Sequence, residues 1–129
     1  MKPMETENRI MGYILILLLV LIPLQEALTY EKIREEPIIA TITAYSSVET
    51  CEGDCIMASG NEAYIGAVAC PREIKLHTRV LIDNTPYICE DRTSIRFNGR
   101  YDIFLGYGQQ SYAKAIKFGK QKRQVQVLR

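Results

Sequence analysis

Between Ile38 and Leu128 the chain offers only short apolar runs, six or seven of them in about 90 residues, and one stretch of helical period. Runs this short and this closely spaced leave no room for crossover helices between parallel strands. They favour a mainly β fold, a small closed barrel, over a βαβ sheet. Ile38–Tyr45 (IIATITAY) is β-branched and reads as the first strand. Ile65–Cys70 is a short buried strand that Pro71 ends. Arg79–Ile82 and Pro86–Glu90 form a hairpin around Asp83-Asn84. Ile103–Leu105 is another strand, and Arg123–Leu128 alternates, with Val125 and Val127 on one face, as an edge or closing strand. The one short helix is SYAKAIKF, capped by Ser111, with Tyr112, Ala115, Ile116 and Phe118 on one side and Gly119 at its C-terminal cap.

At 129 residues the chain holds one domain and something left over. The remainder is N-terminal. Ile10–Leu24 is apolar except for Gly12 and Pro23. Its fifteen residues fall short of the ~20 that span a bilayer and match the apolar region of a secretory signal. A cut after Ala27 would place Gln25, which is not small, two positions earlier. The segment is therefore either removed or kept as a membrane anchor. A buried core helix is the plainer alternative, but the run has no polar face to show solvent. Residues 1–36 are thus expected to be signal or anchor plus the charged linker Glu26–Pro37, and residues 37–129 the folded domain, exported to an extracellular or periplasmic space.

Export decides how the four cysteines read. In an oxidising compartment they are disulfide candidates. Cys51 with Cys55 and Cys70 with Cys89 is the favoured set, because the latter two end separate strands, although four cysteines allow three pairings. Structural zinc is disfavoured, since the cysteines do not form two close-spaced knuckles. Free thiols are the remaining alternative. No metal or other cofactor is expected. A net charge of +1 gives no bulk attraction for nucleic acid or another polyanion, and a monomer is expected.

The chemistry concentrates in Val80–Gly106. Two apolar runs there, Tyr87–Cys89 and Ile103–Leu105, each carry an aspartate at the inner end, Asp91 and Asp102. The loop between holds Arg92, Arg96, Arg100 and the turn Asn98-Gly99. If the two strands lie near each other, both carboxylates share one mouth of the sheet. Glycosidic cleavage needs a proton donor at the leaving oxygen and a group that stabilises positive charge on the sugar. Arginines near Asp91 would keep it ionised, while the apolar neighbours of Asp102 would hold its proton to higher pH and suit it to act as the acid. The plainer reading is that each aspartate is a strand-end residue paired with a loop arginine. His77, the lone histidine, reads as a solvated turn residue.

Read together, Thr43-Ala44-Tyr45-Ser46, Ala58-Ser59-Gly60, Gly66-Ala67-Val68-Ala69, Leu76-His77-Thr78-Arg79-Val80, Glu90-Asp91-Arg92 and Arg100-Tyr101-Asp102-Ile103-Phe104 follow one another in a definite order and spacing, continued by Ser111-Tyr112-Ala113 and Phe118-Gly119-Lys120. In this the chain resembles the three-aspartate (3D) domain of stationary-phase survival and cell-wall-binding proteins and the catalytic part of membrane-bound lytic transglycosylase A, from Thr41 to Leu128. The resemblance implies a six-stranded double-psi β-barrel and action on the glycan strands of peptidoglycan. The bond between N-acetylmuramic acid and N-acetylglucosamine would be cut without water, leaving a 1,6-anhydro product. By position Asp102 matches the family's acid/base, and Asp91 the aspartate that binds or stabilises the sugar. Tyr45, Thr43, Ser59, Arg92 and Arg100 would line the substrate groove, Tyr45 by stacking on a sugar ring, with strand core the equal alternative for Tyr45 and Thr43.

Three departures are visible. The family's first aspartate is replaced by Cys70, which a bond to Cys89 would turn to a structural role, with Asp54 as a candidate stand-in. The glycines after the second aspartate are Arg92-Thr93-Ser94. The glycine before Thr78 is His77. These departures leave a second reading, a non-catalytic or weakly active cell-wall-binding module on the same barrel. A third is a small secreted structural domain whose aspartates only pair with arginines.

Overall fold

The computed structural model describes residues 4–31, 35–51 and 53–129. It divides into two compact units, Met1–Arg34 and Glu35–Arg129. The first holds helix α1 (Met4–Glu31). From Ile10 to Leu21 its large apolar side chains are all exposed. The helix continues to Glu31, through Ala27 and into the stretch expected to be linker, and the rest of that linker up to residue 34 lies outside the described residues. Among the described residues no helix is long and apolar enough to cross a membrane. The apolar run read from the sequence ends at Leu24, beyond the last described side chain of α1, Leu21.

The second unit begins two residues before Pro37. The Glu35 N–H donates to the Val127 carbonyl at 3.1 Å, its carboxylate meets Arg129 at 2.8 Å, and its carbonyl accepts from Gln126 at 3.1 Å. Six strands follow: β1 (Ile38–Tyr45), β2 (Ala67–Cys70), β3 (Arg79–Ile82), β4 (Thr85–Arg92), β5 (Arg100–Phe104) and β6 (Gln121–Leu128). They form one closed sheet in the order β1-β5-β2-β4-β3-β6, because β6 pairs with both β3 and β1. The expected closing strand is therefore the one that removes the sheet edges. Helices α2 (Ser47–Thr50) and α3 (Gly108–Phe118) and a 3-10 turn (Ile95–Phe97) fill the connections, so the single helix expected has company. α3 starts three residues before Ser111, which sits inside it rather than capping it. Ala115 is its buried residue and Ile116 is 62% exposed, so the apolar side foreseen for it is narrower than the sequence suggests. Gly119 does end it, at φ 61°.

Strand alternation sorts the side chains into two clusters. Ala40 and Ile42, Val68 and Cys70, Val80 and Ile82, Cys89, Tyr101 and Ile103, and Val125 and Val127 fill the barrel. The alternate residues of β1, β2 and β5, Tyr45, Ala67, Ala69 and Phe104, form a second cluster on the outer face with Cys55, Met57 and Ala63 of the segment that follows α2. Two disulfides are present, Cys51–Cys55 and Cys70–Cys89. The hairpin turn at Asp83-Asn84 has positive φ at both residues, 47° and 64°, as a two-residue loop of this hand demands. His77 also lies in the left-handed region, at φ 66°, the conformation a glycine would hold without strain.

Candidate active site

Asp102 lies on the outer face of β5 because Tyr101 and Ile103 on either side point into the barrel. In register it pairs with Thr43 of β1 on one side and with Ala69 of β2 on the other. Asp91 is the second partner of Ala69, across β4. The two aspartate strands are thus not neighbours, as the sequence suggests. β2 runs between them, and two strand spacings put the aspartate α-carbons roughly 10 Å apart. Between them the β2 residue is alanine, whose methyl leaves the space over the strand open.

Asp91 reaches that face through an irregularity. Tyr87 and Cys89 both turn toward the barrel core, so a regular strand would carry Asp91 inward as well. The register instead steps from Val68 opposite Cys89 to Ala69 opposite Asp91, leaving Glu90 as an extra residue. This bulge moves Asp91 to the face of Asp102. Glu90 itself is buried and well partnered. Its carboxylate accepts from Tyr64 Oη at 2.9 Å and Asn61 Nδ2 at 3.1 Å, and lies 3.4 Å from His77 Nδ1. Burial pushes the Glu90 carboxyl up, but hydrogen bonds from Ser59, Tyr64 and Asn61 and the charge of His77 outweigh it and hold it below the usual glutamate range.

The two aspartates have different surroundings. Asp102 Oδ1 accepts from the Thr43 hydroxyl at 2.9 Å. Burial raises its affinity for a proton above that of an ordinary aspartate. The Thr43 bond and the charge of Arg100 oppose this, and Glu49 and Asp91 add to it. Asp91 Oδ1 accepts from the backbone N–H groups of Arg92, at 2.8 Å, and Ala58, at 3.1 Å, and its Oδ2 lies 3.4 Å from Tyr45 Oη. The Ala58 N–H is delivered by the segment that follows the Cys51–Cys55 bond, in which Met57 and Ala63 pack in one cluster with Cys55 and Phe104. Neither aspartate lies within ion-pair distance of an arginine among the described residues.

A cleft of about 250 Å³ opens over this pair, lined by Asp91, Asp102, Ala69, Tyr45, Arg92 and Arg100 together with Thr50, Thr93, Ser94 and Phe97. The expected groove residues fall in different places. Tyr45 forms a wall, but its ring is buried against Phe104, centroids 5.3 Å apart, and its hydroxyl is turned to Asp91. Burial, followed by the charge of the two aspartates, keeps that hydroxyl protonated well beyond the usual tyrosine range. Little of the Tyr45 ring is thus exposed to the cleft, and its hydroxyl points to Asp91. Thr43 acts through Asp102. The Arg92 guanidinium is committed to the carbonyls of Pro71 and Ile74. Ser59 and Asp54 do not line the cleft, and Ser59 is bound to Glu90. Arg100 lies over the Phe97 ring at 4.0 Å. Phe97, 47% exposed, is the aromatic available to a ligand, and the sequence marks it only as an aromatic between Arg96 and the Asn98-Gly99 turn. Glu90 carries no local mark at all beyond its place beside Asp91. Cys70 points into the barrel with Cys89, both fully buried, so a side chain at position 70 belongs to the core and not to the cleft.

No protein-family model matches the sequence, and no curated protein matches it. Among solved structures, the chain is similar to a point variant of the E. coli lytic transglycosylase MltA in an apo form, at 17% sequence identity and a TM-score of 0.49. The match covers 57% of this chain and 26% of that one.

Proposed function

We propose that residues 35–129 form a double-psi β-barrel that acts as a peptidoglycan lytic transglycosylase, with Asp102 as acid and then base and Asp91 holding the sugar. The observation that carries this is the pair of carboxylates in one cleft, of which Asp102 is the desolvated one. Protonated Asp102 gives its proton to the glycosidic oxygen, and the bond from that oxygen to the muramyl C1 breaks. The 6-hydroxyl of the same sugar attacks C1, and its proton passes to the Asp102 carboxylate, which restores the acid. One carboxyl serves both steps, so a separation of the aspartates by a whole strand is no obstacle. Asp91, held by two backbone N–H groups, is an acceptor for sugar hydroxyls. Cysteine in place of the family's first aspartate leaves this arrangement intact, because position 70 faces the core. The two disulfides fit an oxidising, exported location, and the apolar face of α1 would tether the domain to a membrane if it is retained.

The test is a digest of purified peptidoglycan by the oxidised chain beside Asp102→Asn, read by mass spectrometry. Muropeptides ending in 1,6-anhydro-N-acetylmuramic acid from wild type alone are the expected result, with a loss of at least ~100-fold in the variant. Hydrated reducing ends would replace the transglycosylase with a hydrolase. No product, with the chain still sedimenting with the wall, would leave a binding module.

A further inference from the structure

Two residues along β5 from Asp102, on the same outer face, stands Arg100, paired with Thr41 as Asp102 is with Thr43. The step is about 7 Å along the strand. A second groove of about 240 Å³ opens there, lined by Arg96, Arg100 and Lys120 with Thr41, Phe97, Asn98 and Gly99. Phe97 and Arg100 line both this groove and the aspartate cleft, so the two adjoin. Their charges differ. The first presents two carboxylates beside Arg92, whose guanidinium is taken by backbone carbonyls, and the shared Arg100, and the second presents three cations and no acid. Among the described residues, no ion pair uses Arg96, Arg100 or Lys120. Arg100 feels the charge of Asp102, but Arg96 and Lys120 have no acid in the groove, and like charges held together there favour an anion from outside.

We propose that this groove binds the carboxylates of the stem peptide carried by the muramyl sugar, so that the site takes peptide-bearing strands in preference to bare glycan. The proposal rests on the reading of the aspartate cleft as a peptidoglycan site. A neutral sugar over Asp91 and Asp102 places its anionic substituent away from those carboxylates, and the cationic groove lies one step along the strand in that direction. The Arg100 guanidinium, stacked on Phe97, is held at the junction, where it can face the peptide while its charge still reaches Asp102.

The test compares three soluble probes on the full chain: glycan strands with free stems, the same strands with stem carboxylates amidated, and strands stripped of stems by an amidase. Binding is measured for wild type and for the double variant Arg96→Gln/Lys120→Gln, both exposed positions, with thermal unfolding as the check on folding. Wild type is expected to bind the free-stem strands best, and the double variant to lose roughly tenfold on those alone. Equal binding of all three probes by wild type, or an equal loss on stripped strands in the variant, would overturn the groove assignment while leaving the cleft reading in place. Failure of wild type to bind any strand would overturn both.

Discussion

The Cys70–Cys89 bond is the contact whose loss should cost this fold most, and the size of that loss can be worked out. It closes 19 residues of separation, against 4 for Cys51–Cys55. By chain entropy alone the longer loop stabilises the fold by about 3 kcal/mol and the shorter by about 2 kcal/mol. Context widens the gap. Cys70 and Cys89 are fully buried inside the barrel, so replacing them with alanine also leaves space among Val68, Val80 and Ile103. Cys51 is only half-buried and its loop is nearly local in sequence. For a unit of this size each kcal/mol moves the midpoint by roughly 4–8 °C. Cys70→Ala/Cys89→Ala should therefore lower the thermal midpoint by roughly 12–24 °C or more, and Cys51→Ala/Cys55→Ala by roughly 8–16 °C. Circular dichroism melts in non-reducing buffer would measure both. A drop as large or larger for the Cys51/Cys55 pair would refute the assignment of the inner bond as the main staple of the barrel.

Other outcomes follow from the two unusual carboxylates. The Asp102 carboxyl binds its proton more tightly in the folded chain than the ordinary value of 3.8, so its ionisation opposes folding. Its stabilising share is complete below that ordinary value and is lost as pH rises through the raised one. Asp102→Asn should accordingly melt higher than wild type at pH 7, with the difference gone below about pH 4. A variant less stable at pH 7 would contradict the desolvation. Turnover should fall on the alkaline side through the same raised value, seen in a pH–rate profile of muropeptide release. Glu90 has the opposite sign, since its folded value is lowered, and its contribution is present at neutral pH and lost as acid protonates it. Glu90→Ala removes the acceptor that seats the bulge and should cost about 1–3 kcal/mol in unfolding experiments. It should also reduce turnover more than tenfold, as Asp91 loses its outward aim, while Glu90→Gln restores part of both. Full activity in folded Glu90→Ala would mean the bulge does not depend on this side chain.

How much of this was legible beforehand differs from element to element. β1 and β3 were readable to the residue, because Ile38–Tyr45 and Arg79–Ile82 carry β-branched alternation between clear turns. The turn at Asp83-Asn84, the end of α3 at Gly119 and the core positions Val125 and Val127 were readable for the same local reasons. β5 was placed late, since its first residues, Arg100 and Asp102, are charged and face out, which hides a strand from a search for apolar runs. The start of α3 was missed because its N-cap is Tyr107, whose side chain makes no capping bond. The candidate pair Asp91 and Asp102 was visible as residues, and Glu90 and Ala58 only as motif neighbours with no role, while Thr50 and Phe97, which line the cleft, were not singled out.

The sequence by itself determined the two-part division of the chain, the set of short strands and the presence of the two aspartates, which depend on composition and on neighbours within a few residues, while it favoured one of three cysteine pairings without choosing it. The tertiary structure alone decided that β2 runs between the aspartate strands and that Asp91 faces Asp102. Strand order is a matter of contacts far apart along the chain. The side on which Asp91 emerges depends on one extra residue, Glu90, held in a bulge by Asn61, Tyr64 and His77, which lie 29, 26 and 13 positions earlier in the chain. Period-two alternation has no memory of such partners. Only when they close on Glu90 does the strand slip by one and turn its aspartate from the core to the cleft.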